Sequence, residues 1–151
     1  MNEHTISIIR DSWILISAYP DAFIKFYDKL FEISPDAKRF FPEDDLSRQG
    51  EKLSYTIGFA VENLDRLNEI KESIEDLGRM HNELNIGAQY YEHVKEALIF
   101  TIKEAMGDSY KEEVGTSWDQ ALTYISNVMI NAPAKKRRKP QDLVRKLFKS
   151  R

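Results

Sequence analysis

Apolar residues recur three and four positions apart along nearly the whole of this 151-residue chain, a spacing that only a helix gathers into one continuous face. Residues 5–17 set Ile6, Ile9, Trp13 and Ile16 on one stripe, and after a turn at Pro20 the next segment stacks Phe23, Phe26, Tyr27, Leu30 and Phe31. Ser34, Pro35 and Asp36 predict a capped helix start, and Pro42 ends that short piece after Phe40 and Phe41. From Leu46 to about Asn63, Leu46, Gln49, Leu53, Ile57, Ala60 and Val61 share a face on which Gln49 is the polar exception. Residues 88–105 align Tyr91, Val94, Leu98 and Ile102, Gly107 and Asp108 interrupt, and 109–131 align Val114, Trp118, Leu122, Ile125 and Met129. No stretch reads convincingly as a strand, and neither a repeat, a P-loop nor a G-x-G-x-x-G run is present. An all-α chain without a nucleotide site is expected.

One helix carries a residue out of character with its face. Between Lys71 and Gly87, Ile74, Leu77 and Leu84 form the apolar stripe, Glu75, Asp76, Arg79, Asn82 and Glu83 take the other side, and His81 falls among the apolar set. An imidazole aimed into an oily interior needs a partner, since a buried polar group left unsatisfied costs about 1–3 kcal/mol. A backbone carbonyl or a hydroxyl would serve, and so would a metal such as a haem iron.

Composition narrows the classes. At 42% apolar, the chain suffices for one domain with a substantial core. The absence of cysteine excludes disulfides, zinc-thiolate sites, iron–sulfur clusters and C-x-x-C-H haem attachment. With no basic leader and no apolar run near the roughly 20 residues that span a bilayer, a soluble cytoplasmic protein is expected, peripheral to a membrane at most.

The net charge of −3 is unevenly spread: residues 132–151 hold nine Lys or Arg and one Asp, a balance of +8, which leaves −11 for residues 1–131. An acidic main domain over 1–131 argues against nucleic acid as a partner. In the 132–151 tail, KKRRK (135–139) precedes an apolar stripe of Leu143, Val144, Leu147 and Phe148 flanked by Arg145, Lys146, Lys149 and Arg151. A short basic amphipathic helix over 135–151 would suit an anionic membrane surface or an acidic partner.

The order of landmarks is itself specific. KFYDKLF (25–31), SPDAKRFFP (34–42), QGEKL (49–53), LGRMH (77–81) and Tyr91 ten residues beyond His81 together resemble the bacterial single-domain globins and the haem domains of flavohaemoglobins, over roughly residues 3–131. That resemblance implies the three-over-three helical sandwich of the globin fold and a non-covalent haem b. It makes His81 the iron ligand on the proximal side, Phe41 the ring packed on the porphyrin with Phe40 its rival, and Tyr27, Gln49 and Leu53 the distal pocket. Lys52 would reach a haem propionate. Leu77, Ile86, Val94 and Leu98 would line the proximal and lower pocket, with Tyr91 in the proximal hydrogen-bond network. His4 at the start of the chain, and His93 on a face expected to point away from the iron, are not ligand candidates.

The implied function is reversible binding of O2 and other diatomic gases (NO, CO), with Tyr27 and Gln49 as donors to bound dioxygen and NO dioxygenation through an external electron donor or reductase. A gas sensor signalling through the tail and a haem-free interaction module are the alternatives. One departure stands out. Flavohaemoglobins place a glutamate of the proximal network just after NVFIN-like residues, whereas NVMINAP (127–133) offers Pro133 there. A carboxylate on the proximal imidazole would raise its basicity, so a weaker electron push toward iron is expected here.

Overall fold

The computed structural model describes residues 1–19, 21–41 and 45–134. The expectations placed on Pro20, on Pro42 and on the 135–151 tail lie outside them. Among the described residues six α-helices follow in order: α1 (Glu3–Ser17), α2 (Ala22–Ile33), α3 (Leu46–Glu62), α4 (Lys71–Glu83), α5 (Ala88–Met106) and α6 (Glu112–Ile130). No strand occurs among the described residues.

Local chemistry sets the helix ends. The Asn2 carboxamide accepts from the Thr5 amide at 2.8 Å and so satisfies one of the orphan donors that open α1. Ser34 departs from expectation: its side chain makes no cap bond, and Pro35–Phe40 winds as a 3₁₀ helix rather than an α-helix. The Ser34 amide is still engaged in closing α2, donating to the Leu30 carbonyl at 2.7 Å. Gly107 turns the chain between α5 and α6 at φ 54° and ψ −126°, a combination that side-chain-bearing residues avoid.

The principal contacts are α2 on α5, α4 on α6 and α1 on α6. Ile9, Ile16, Phe26, Leu30, Leu98, Ile102 and Trp118 fill the centre of the core. Burying an Ile, Leu or Phe is worth about 1.5–3 kcal/mol each. The core has one polar tie: the Trp118 indole N–H donates to the buried Ser12 hydroxyl at 2.8 Å, pinning α6 to α1.

A smaller apolar cluster of Ile70, Ile74 and Met129, with Leu77 and Tyr91 packed against it, seats α4 on α6. At their crossing Gly78 is buried, and a Cβ there would stand 2.3 Å from the Met129 carbonyl oxygen and 2.6 Å from the Met129 Cα. Helix propensity alone would make Gly78→Ala stabilising by about 1 kcal/mol. The backbone clash outweighs it, so we expect a net loss of about 1–3 kcal/mol in urea unfolding, the usual cost of overpacking. A gain in stability would mean that the two helices part freely.

The stripe of α4 is correct through His81 and fails at Leu84, which is 63% exposed. The helix ends at Glu83, and Asn85 takes the left-handed conformation at φ 57°, so helical spacing no longer governs where Leu84 points.

Candidate functional site

A cavity of about 320 Å3 lies among the helices, within the range of small-molecule and cofactor pockets. Its walls bring together all of the site residues expected from the sequence. Tyr27 comes from α2 and Phe41 from the end of the 3₁₀ helix; Gln49, Lys52 and Leu53 come from α3. Leu77 and His81 come from α4, Ile86 from the following corner, and Tyr91, Val94 and Leu98 from α5. Phe40 lines the cavity as well and packs edge-on against Tyr90 at 5.1 Å, while Phe41 contacts Tyr27 at 5.3 Å and Phe31 at 5.9 Å.

His81 is half-buried, and its Nδ1 lies 2.8 Å from the Leu77 carbonyl one turn back. A carbonyl only accepts, so Nδ1 carries the proton and donates. In the neutral ring this leaves the Nε2 lone pair available, which is the form in which imidazole ligates a metal. Tyr91 lies beside it with ring centroids 5.8 Å apart, but no hydrogen bond joins the two rings, and the buried Tyr91 hydroxyl has no partner among the described residues. Where the resemblance would put a carboxylate, the Pro133 carbonyl accepts from Arg79 at 3.1 Å.

Tyr27 is 3% exposed, within a cluster of Phe26, Phe31 and Phe41 rings. Burial pushes its phenol up to about 12. Its hydroxyl makes no hydrogen bond to the described residues, and nor does the Gln49 carboxamide on the neighbouring wall. Among the described residues neither donor has a protein acceptor. Lys52 is exposed at the cavity edge.

Several residues of the cavity wall carry no signal in the stripes, Tyr90, Lys95 and Ser126 among them. Tyr90 is buried on the second covered face of α5, and its hydroxyl accepts from Arg39 at 3.1 Å. Lys95 contributes its stem to the wall while its ammonium pairs with Glu92 at 3.0 Å and Asp119 at 2.9 Å. Ser126, on α6, also lines it. His93 does not: it is half-buried, edge-on to Tyr90 at 6.0 Å, with its Nδ1 unpartnered. His4 pairs with Glu113 at the surface.

The donor set limits what can be held here. Among the described residues no group of three or more His, Cys, Asp or Glu could cage a bare metal ion. A single imidazole on a largely apolar wall suits a metal whose other ligands arrive with it, as the four nitrogens of a porphyrin do.

The family model of the globins matches residues 24–129. The chain belongs to the globin family. Its relatives include a flavohemoprotein of Oceanobacillus iheyensis, 28% identical over 87% of this chain and 33% of that protein. Another is an anaerobic nitrite reductase of Solanum lycopersicum, 28% identical over 82% of this chain and 88% of that one. This globin thus spans about a third of the length of the flavohemoproteins it matches. In fold it is similar to a bacterial globin from Campylobacter jejuni, with a TM-score of 0.73, 22% identity and coverage of 98% and 99% of the two chains. Family membership carries haem binding and the binding of diatomic gases such as O2 at the level of the family.

Proposed function

We infer that this globin holds haem b non-covalently through His81, binds O2 reversibly beside Tyr27 and Gln49, and turns NO into nitrate with electrons from an external reductase. The single observation that carries the reading is the His81 Nδ1 held 2.8 Å from the Leu77 carbonyl, on the wall of a cavity whose other walls bring Tyr27 and Gln49, donors with no partner among the described residues. Held by His81, a haem would supply the one electron with which one NO and one O2 give one nitrate. Each turnover therefore needs one electron returned from outside.

The chain's own residues have definable tasks. His81 presents a neutral nitrogen. Its Nδ1–H bonds to the Leu77 carbonyl rather than to a carboxylate, a partner that fixes the orientation of the ring. Tyr27 and Gln49 offer O–H and N–H donors to the partial negative charge on dioxygen. Phe41 and Leu53 keep water from the reacting gases. In the test, ferrous protein equilibrated with O2 is mixed with an equal amount of NO and nitrate is assayed by ion chromatography. About one nitrate per haem is expected, and nitrite or unreacted NO as the main product would refute the dioxygenase reading.

A further inference from the structure

Beside the cavity, and sharing Phe40 with it, lies a second pocket of about 510 Å3 between the 3₁₀ helix and the α4–α5 corner, lined by Arg39, Phe40, Leu84 and Asn85. Although exposed, Arg39 is held in place. Its guanidinium lies over the rings of Phe40 at 4.8 Å and Tyr90 at 5.8 Å, and it donates to the Tyr90 hydroxyl at 3.1 Å. A guanidinium has five N–H donors, so this bond leaves the greater part of the fork available. Among the described residues no carboxylate forms a salt bridge with it. Leu84, left 63% exposed where the helix runs out, contributes an apolar surface to the same pocket. A clamped cation and an exposed leucine in one pocket suit a ligand that is apolar over most of its area and anionic at one edge.

We propose that Arg39 binds a carboxylate of the porphyrin and that the pocket around Asn85 is where this anionic edge leaves the cavity. The assignment rests on the haem reading above and deepens it. Haem carries two carboxylates; Lys52, on the cavity edge itself, is the cation placed for the other. The planar fork of an arginine matches a carboxylate with two parallel N–H bonds, whereas lysine contributes a point charge. Tyr90 is then a positioning residue: its hydroxyl and ring hold the guanidinium while its buried side lines the cavity.

The test compares two porphyrins in the full-length protein. One is haemin and the other its dimethyl ester, in which both carboxylates are capped. Each loaded protein is mixed with an excess of an apo-globin acceptor, and porphyrin loss is followed in the Soret band. Arg39→Ala is expected to release haemin roughly three- to tenfold faster, the range for one partly exposed charged pair, and to release the ester at the native rate. Arg39→Gln keeps a donor for Tyr90 and should behave in the same way, which separates loss of charge from loss of fold. Unchanged release of haemin, or equal acceleration with both porphyrins, would overturn the assignment and leave haem binding intact. Failure of the native chain to take up either porphyrin would sink the haem reading together with it.

Discussion

Haemin-reconstituted His81→Ala is expected to show a weakened and displaced Soret band and to lose porphyrin more than about a hundredfold faster than the native chain. Removing a mere outer partner of a metal ligand typically costs 10- to 100-fold in affinity, so removing the ligand should exceed that range. Among the described residues no second imidazole lines the cavity. His93 does not line the cavity and His4 is engaged with Glu113 at the surface. The gap left on α4 adjoins Leu77 and Tyr91, an apolar niche in which free imidazole can lie. Millimolar imidazole should therefore restore most of the native spectrum in His81→Ala, and even more fully in His81→Gly. Such rescue separates loss of a ligand from general damage to α4. A native spectrum in His81→Ala without added imidazole would mean that another side chain ligates the iron.

Tyr27, Leu53, Leu77 and Leu98 were legible as members of one-sided stripes, and one-sidedness is what the spacing of apolar residues reports. His81 stood out against Ile74 and Leu77 for that reason, whereas Phe41, Lys52 and Ile86 entered only through the resemblance. Where a helix is covered on two faces, spacing loses its power: α5 buries Tyr90 and Ala97 as well as Leu98 and Ile102, and only the stripe through Tyr91 and Val94 was visible. Leu84 failed for a different reason, since the periodic stripe was extended past the point where Asn85 leaves the helix. Gly78 carried no signal either; its value lies in a close approach to the Met129 backbone, and a small residue announces nothing about a helix it will meet 51 positions later. Lys95 and Arg39 carried no signal in the stripes, since a long stem can lie on an apolar wall while its head stays in polar company.

In Tyr27→Phe, O2 should leave roughly ten- to a hundredfold faster than in the native globin. The change is conservative in every respect but one. The ring and its contacts with Phe26, Phe31 and Phe41 remain, and the lost hydroxyl has no hydrogen-bond partner among the described residues, so folding should be little affected. What disappears is a donor to the partial negative charge on dioxygen. A hydrogen bond to a charged acceptor contributes about 1.5–3 kcal/mol, and each 1.4 kcal/mol is a factor of ten. CO carries less charge on its outer atom and should leave at a rate that changes far less, which makes it the internal control. The sign of the pH dependence follows from burial. The Tyr27 phenol is raised to about 12, above its unfolded value of 10.0, so it stays protonated and able to donate through neutral and mildly alkaline conditions. Its share of folding stability is complete below pH 10.0 and is lost as the pH climbs toward 12. The native O2 dissociation rate, followed by stopped-flow displacement with CO, should therefore be flat from about pH 6 to pH 10, within the range where this phenol keeps its proton. A substitution effect below twofold, or one equal for O2 and CO, would remove Tyr27 from the gas site and leave Gln49 as the donor to test.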